Sequence, residues 1–380
     1  MDPDFEIFDS SSFEEEEEEE IILALAIEEE RLGNERGSTS HRRSIPRRAF
    51  IQRNSLEGHQ RLFQDYFSES PTYPPNLFRR RFRMQHHLFL RIQAKVEAYE
   101  PYFVQRRDAA KRLGHSSLQK ITVAMRILAY GVSGDFVDEY LWIAENTATK
   151  CLKKFIKAII GIFSHEYLRS PNENDIARLC AVGDSRGFPG MLGSCHNDIN
   201  VLEHSYVFRE LAEGHASKVN YSINGNDYSM GYYLADGIYP SWSTFVKTIH
   251  APHVRKNKHF AATQELARKD VERAFGVLQA RFAFVRGPAR FYDRQTLKEI
   301  MMACIILHNM IIEDERHTYL RVEDFVYEQS DEITEEPMSH EHTNEFVNFI
   351  QRHHHIRDRG IHFQLQSDLI EHLWEIYSKS

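Results

Sequence analysis

The segment Ile300-Met301-Met302-Ala303-Cys304-Ile305-Ile306-Leu307 is apolar nearly all round. A helix with no polar face has no side to turn to water, so this one is expected deep inside the fold. Whatever the chain forms must supply cover around it. At 380 residues the chain can hold two domains plus tails, at ~100–200 residues per domain. No apolar run approaches the ~18 residues of a membrane-spanning helix, so no membrane partner is expected.

Charge is unevenly distributed. The formal net charge of −9 argues against nucleic-acid binding only as an average. Acid concentrates at the ends, in the glutamate run from Glu14 to Glu20 and in the stretch from Glu323 to Glu345. Two basic blocks lie between, His41-Arg42-Arg43-Ser44-Ile45-Pro46-Arg47-Arg48 and Arg79-Arg80-Arg81-Phe82-Arg83. Such segregation suits a basic working surface flanked by solvated acidic tails. The acidic start does not resemble a signal peptide. The block at 41–48 is compatible with a nuclear localisation signal or a DNA-contacting arm. The four cysteines, Cys151, Cys180, Cys195 and Cys304, show neither zinc nor disulfide spacing, which fits a reducing compartment.

Residues 1–55 have the composition of a disordered tail, with one short amphipathic stretch from Ile21 to Leu32. Residues 56–170 read as helical. Leu118, Ile121, Met125 and Leu128 recur at spacings of three and four, the stripe of an amphipathic helix, and Gly131 suits its C-cap. A short helix is expected near Asp135 to Ala144, then a third helix capped by Asn146 or Thr147. The third helix carries Lys150, Lys153, Lys154 and Lys157 on one side, opposite Cys151, Leu152, Phe155 and Ile159. Three helices with a basic last member are the sequence form of a helix-turn-helix. The four ammonium groups are candidate contacts to DNA phosphates; an ordinary solvated helix face has the same pattern.

From 180 onward the pattern becomes mixed α/β. Val219, Tyr221 and Ile223 alternate, Asn224-Gly225-Asn226 turns, and Tyr228, Met230, Tyr232 and Leu234 alternate again, which predicts a hairpin. The second strand runs into Asp236-Gly237. Gln264 to Phe282 reads as a helix with Glu272 off its apolar stripe and Gly276 one turn on. Asp236 and Glu272 have 35 residues between them. An acid at a strand's end beside a glycine is well placed in a cleft, whereas Glu272 taken by itself reads as a plain surface glutamate. Leu365, Leu369, Ile370, Leu373, Trp374 and Tyr377 predict a C-terminal amphipathic helix that packs on the body or on a partner. Nothing suggests a small-molecule cofactor or substrate.

The segment Asp270-Val271-Glu272-Arg273-Ala274-Phe275-Gly276-Val277-Leu278-Gln279-Ala280-Arg281-Phe282 closely resembles the glutamate helix of plant Harbinger (PIF-type) transposases and their domesticated relatives. Gly231-Tyr232-Tyr233-Leu234-Ala235-Asp236-Gly237-Ile238-Tyr239-Pro240 resembles the strand that carries the family's second catalytic aspartate. Further segments follow the family order: Arg186-Gly187-Phe188-Pro189-Gly190-Met191-Leu192-Gly193-Ser194, Asn197-Asp198-Ile199-Asn200-Val201-Leu202 and Ala303-Cys304-Ile305-Ile306-Leu307-His308-Asn309-Met310-Ile311. The resemblance runs from about 60 to 315. It implies an RNase H-like DDE domain in which two aspartates and a glutamate hold two Mg²⁺ ions for in-line attack on a phosphodiester. It also implies DNA as a partner, a Myb-like DNA-binding protein as a second one, and the nucleus as the location.

One departure decides how far this carries. The family's first aspartate follows the Met-Leu-Gly-Ser segment in a motif of the type Ile-Asp-Cys-Met-His. Here Ser194 is followed at once by Cys195-His196-Asn197-Asp198. A long insert with the first three strands of the sheet is missing at this junction. Asp184 lies on the wrong side of it, and Asp198 is the better candidate for a residual ligand. The expected fold is therefore α/β: a helical, helix-turn-helix-like region at 56–170, then a truncated RNase H-like DDE domain at 180–314 lacking its first three strands. An acidic linker follows at 315–360 and a helix at 361–380. Three functions compete: a transposase-derived nuclear protein without nuclease activity, an active Mg²⁺-dependent DDE endonuclease, and a truncated or mis-spliced product without function. The carboxylates expected at the site are Asp236 and Glu272, the remnant of the triad, with Asp198 the candidate for a residual metal ligand.

Overall fold

The chain begins its regular structure with α1 (Ser55–Tyr66), α2 (Pro75–Phe82) and α3 (His86–Tyr99). The structure is a computed structural model that describes residues 53–107, 111–195, 205, 208, 218–291, 293–319 and 359–379. The acidic runs, the stretch from Ile21 to Leu32, the basic block at 41–48 and Asp198 lie outside the described residues. Aromatic side chains knit the first helices together: Phe78 and Phe82 stack at 4.2 Å, and Phe67 and Phe89 meet them edge-on.

Helix α4 (Ser117–Tyr130) starts at a capping box, in which Ser116 accepts from the Gln119 amide and Gln119 reaches back to Ser116. It ends at Gly131. The short α5 (Asp138–Leu141) leads into α6 (Glu145–Tyr167). Neither Asn146 nor Thr147 caps α6. Ala144 is the N-cap, its carbonyl already accepts from the Ala148 amide, and Glu145 brings a favourable negative charge to the first turn. Next come α7 (Glu173–Ser185) and β1 (Met191–Ser194).

The expected hairpin is present, with β2 (Lys218–Ile223) antiparallel to β3 (Asn226–Met230). Asn224 and Gly225 both take positive φ, the geometry that suits tight hairpin turns. The alternating stretch from Tyr228 to Leu234 is not one strand. It breaks at Gly231 and continues as β4 (Tyr232–Ala235) in a different sheet. A Cβ at Gly231 would sit 2.6 Å from Leu192 Cδ1, so the break depends on a residue without a side chain. Strand β4 is the centre of a parallel sheet of order β1-β4-β5, where β5 is Phe245–Lys247. Strand β1 is not foreseen in the sequence pattern. It pairs with β4 in parallel, with Ser194 opposite Leu234.

Helix α8 (Arg255–Arg281) then crosses to α9 (Arg294–Tyr319). The apolar helix is buried along one side, where Ile300, Ala303, Cys304, Ile306, Leu307, Met310 and Ile311 are almost fully enclosed, while Met301 and Ile312 stay exposed. Its cover is helical. It joins the core that runs from α1 to α6 and includes Leu278 and Phe282 at the end of α8. Arg79 of α2 locks it with two hydrogen bonds to the buried Glu315, at 2.5 and 2.9 Å. The segment Arg294–Arg316 is long and apolar enough to cross a membrane, yet half of its most apolar window is buried inside the protein.

A second, smaller core holds Phe188, Met191, Tyr232, Leu234, Val246, Phe260 and Ala267. The C-terminal helix α10 (Arg359–Lys379) closes it with Leu365, Leu369 and Leu373. The described fold from Arg53 onward is one unit of mixed α/β structure: a helical N-terminal region, then an α/β region with a small parallel sheet.

Candidate functional site

Asp236 follows the last residue of β4. Burial of Tyr232, Leu234 and Ala235 carries the chain into the sheet, and the turn at Gly237 brings it out. Asp236 Oδ1 accepts from the Gly237 amide at 2.5 Å, and its carbonyl accepts from the Tyr239 amide at 3.2 Å. Lys247, whose backbone pairs with Ala235, lies close by. Burial pushes the Lys247 ammonium below its ordinary value, and the Asp236 charge partly restores it. The two form a half-buried, oppositely charged neighbourhood at the sheet's C-terminal end.

Gln264 of α8 is fully buried and fixes this end of the sheet. Its Nε2 donates to the Ala235 carbonyl at 3.0 Å and to the Val246 carbonyl at 3.1 Å. Its Oε1 has no protein partner. One turn on, the buried Arg268 lies near Cys195, whose thiol burial pushes up to about 12 against the pull of that guanidinium. Arg268 Nη1 donates to Glu272 Oε1 at 2.9 Å. Eight residues separate Gln264 from Glu272, roughly 12 Å of helical rise. The helix thus touches the Asp236 end of β4 two turns before it reaches Glu272.

Among the described residues no group of three or more His, Cys, Asp or Glu side chains could hold a metal ion. Arg268 takes one oxygen of Glu272, Oε1, and leaves less negative charge for a cation there. Among the described residues, Asp236 and Glu272 by themselves do not supply the ligands for a pair of Mg²⁺ ions. Asp198 lies outside the described residues.

The lysines of α6 divide among neighbours. Lys154 pairs with Glu100 at 3.7 Å, Lys150 lies 5.8 Å from the Tyr102 ring, and Lys153 lies 6.0 Å from the Phe291 ring. Lys157 is exposed. Helix α6 is packed on α3, α4 and α9, so Lys150, Lys153 and Lys157 form a narrow exposed stripe along an otherwise enclosed helix.

Residues 165–196 and 194–319 match the family described as plant transposon protein. The segment from 165 to 319 is a plant transposon protein domain. Residues 58–97 match a second family, described as a domain of unknown function (DUF8418). No match was found among curated proteins or among solved structures. The transposon domain contains Asp236 and Glu272, and the lysine stripe lies just ahead of it. Its two matched segments overlap at 194–196.

Gln264 and Arg268 were missed at the level of sequence. They fall with Phe260 and Ala267 at spacings of three and four, on the face of α8 that turns inward. Their polar character masked them, since a helix stripe is ordinarily read from apolar residues alone.

Proposed function

We propose that this chain is a transposon-derived nuclear protein that no longer cuts DNA and still binds it through its helical region. The Arg268–Glu272 contact at 2.9 Å carries the first half of that reading. One oxygen of that carboxylate, Oε1, answers a buried guanidinium, which offsets part of the negative charge a cation would need. The meeting of the two matched segments at 194–196 supports the loss of the strand that carries the first aspartate. The Harbinger lineage, and a truncated RNase H-like DDE domain, rest on the motif resemblance around Asp236 and Glu272. The exposed stripe of Lys150, Lys153 and Lys157 supports contact with duplex phosphates. A Myb-like protein is the partner that the lineage offers for target choice.

The test uses the purified full chain with supercoiled plasmid and Mg²⁺. Plasmid should stay intact, and Glu272→Ala should behave as the parent does. Nicking that disappears in Glu272→Ala would overturn the reading and restore the endonuclease. Binding to duplex DNA, followed across a salt series, should have its slope reduced by about two in K153A/K157A. An unchanged slope returns α6 to an ordinary solvated face.

A further inference from the structure

A cavity of about 490 Å³ opens in the helical region, ahead of the transposon domain. Arg61, Arg81 and Arg126 line it together with Tyr73, Tyr140 and Phe136. The guanidiniums lie on aromatic faces: Arg81 is 4.0 Å above the Tyr73 ring, Arg61 is 4.9 Å above Tyr140, and Arg126 is 4.9 Å above Phe82. Arg126 Nη2 also donates to Tyr66 Oη at 3.2 Å, while its Nε is buried without a partner. Among the described residues none of the three arginines pairs with a carboxylate. Asp65, on the same helix as Arg61, takes its hydrogen bond from Tyr140 Oη at 2.5 Å.

Three cations in one cavity repel one another unless an anion joins them. Arginine forks match phosphate oxygens in pairs, which makes phosphate the fitting anion. The walls are flat aromatic rings, and Phe136 stands at 67 % exposure with a face open to solvent. Phosphate together with a flat ring describes a nucleotide. Sites that hold unpaired strands combine cationic grooves with aromatic platforms for the bases. A base stacked inside a duplex has no free face to offer, and the volume suits one small unit rather than a double helix.

We infer that this Arg–Tyr cavity takes one nucleotide of an unpaired nucleic-acid strand, phosphate on Arg61, Arg81 and Arg126 and base against the tyrosines and Phe136. It extends the DNA-binding reading to a second surface and uses none of the lysines of α6. Single-stranded ends and extruded bases are the chemistry it recognises.

The experiment is fluorescence anisotropy with the full chain and a short labelled oligothymidylate. An abasic strand of equal length, a duplex and a phosphotyrosine peptide serve as competitors. The oligothymidylate should bind and the abasic strand should compete roughly tenfold less well, the scale of one stacked base. Phe136→Ala should weaken binding by a similar factor, and Arg61→Glu by more. Both side chains are exposed, so circular dichroism and melting should match the parent. K153A/K157A should leave oligothymidylate affinity unchanged, which separates this site from the duplex surface. Equal competition by the abasic strand, stronger competition by duplex or peptide, or an unchanged Arg61→Glu variant each overturns the inference.

Discussion

The helical core and the sheet core are closed in different ways. The helical core is sealed by hydrocarbon: α9 brings Ile300, Cys304, Leu307 and Met310 against α6, and few backbone groups there need outside partners. The sheet core is sealed by apolar contact and by side-chain hydrogen bonds to strand carbonyls. Among the described residues strand β5 is an edge, and the carbonyls of Phe245 and Lys247 are bonded from α10. His362 Nδ1 lies 2.8 Å from the first, and Gln366 Nε2 donates to the second at 2.8 Å. These two side chains stand one turn apart on the helix, as the two carbonyls stand two residues apart on the strand. Gln264 does the same for Ala235 and Val246. Asp368 accepts from Tyr228 Oη at 2.6 Å and from Asn226 Nδ2 at 2.8 Å, which holds the hairpin to α10. A sheet of three short strands leaves backbone groups that a wider sheet would pair, and buried backbone groups must find partners. Here a helix from the chain's end supplies them.

Removal of α10 is the harshest test of that difference. Leu365, Leu369 and Leu373 each contribute about 1.5–3 kcal/mol of burial as an upper estimate, which together rivals the whole stability of a small domain. In a chain ended before Arg359, hydrogen exchange should show loss of protection in β2, β3, β4 and β5, with α4, α6 and α9 still protected. Equal loss in both regions would mean that they unfold as one unit and would dissolve the comparison.

A smaller effect tests the helical side. His308 of α9 is buried, and Arg281 Nη1 lies 3.2 Å from its Nδ1, which must then act as acceptor on a neutral ring. Burial first, and the Arg281 charge second, push this imidazole down to about 4. The folded pKa is below the unfolded one, so between about 6.5 and 4 the unfolded chain binds the extra proton. Stability is full near pH 7 and falls as pH drops through that window, by about 3 kcal/mol at pH 4. Urea midpoints of the helical region should fall accordingly, and His308→Gln should flatten the dependence there. A slope unaltered by the substitution would place the acid sensitivity elsewhere in the helical region, with His115 the next candidate because burial lowers it as well.

Local chemistry made part of this architecture legible. The stripe of α4, its cap and the Asn224-Gly225 turn are written in neighbouring residues. The burial of α9 follows from its lack of a polar face, and its cover does not, because α6 lies more than a hundred residues earlier. Strand β1 escaped notice because four residues, Met191 to Ser194, are too few to show a period and gain their strand character from β4. At the candidate site, Asp236 and Glu272 stood out by motif. What Glu272 contacts depends on Arg268, a charged residue on the inward face of α8, where burial and not alternation decides its role. The lysines of α6 were visible as a face. Glu100, which takes Lys154 out of it, comes from the far end of α3.

Helix α8 joins the two cores, with Phe260, Gln264 and Ala267 in one and Leu278 in the other. Between them Ala274 and Phe275 are exposed although their spacing marks them as apolar stripe. Gly276 lies in this stretch, and a Cβ there would meet nothing within 4 Å. Helical geometry needs no glycine at that position, so Gly276→Ala should stabilise the chain by about 0.5–1 kcal/mol through helix propensity alone. A raised urea midpoint with unchanged duplex binding means that the joint is open helix and the cores are linked only along it. A lowered midpoint means that some part of the chain presses on the joint in solution. Weaker duplex binding at a raised midpoint means that DNA comes close enough there to need the missing side chain, and the exposed joint becomes a contact surface between the two regions.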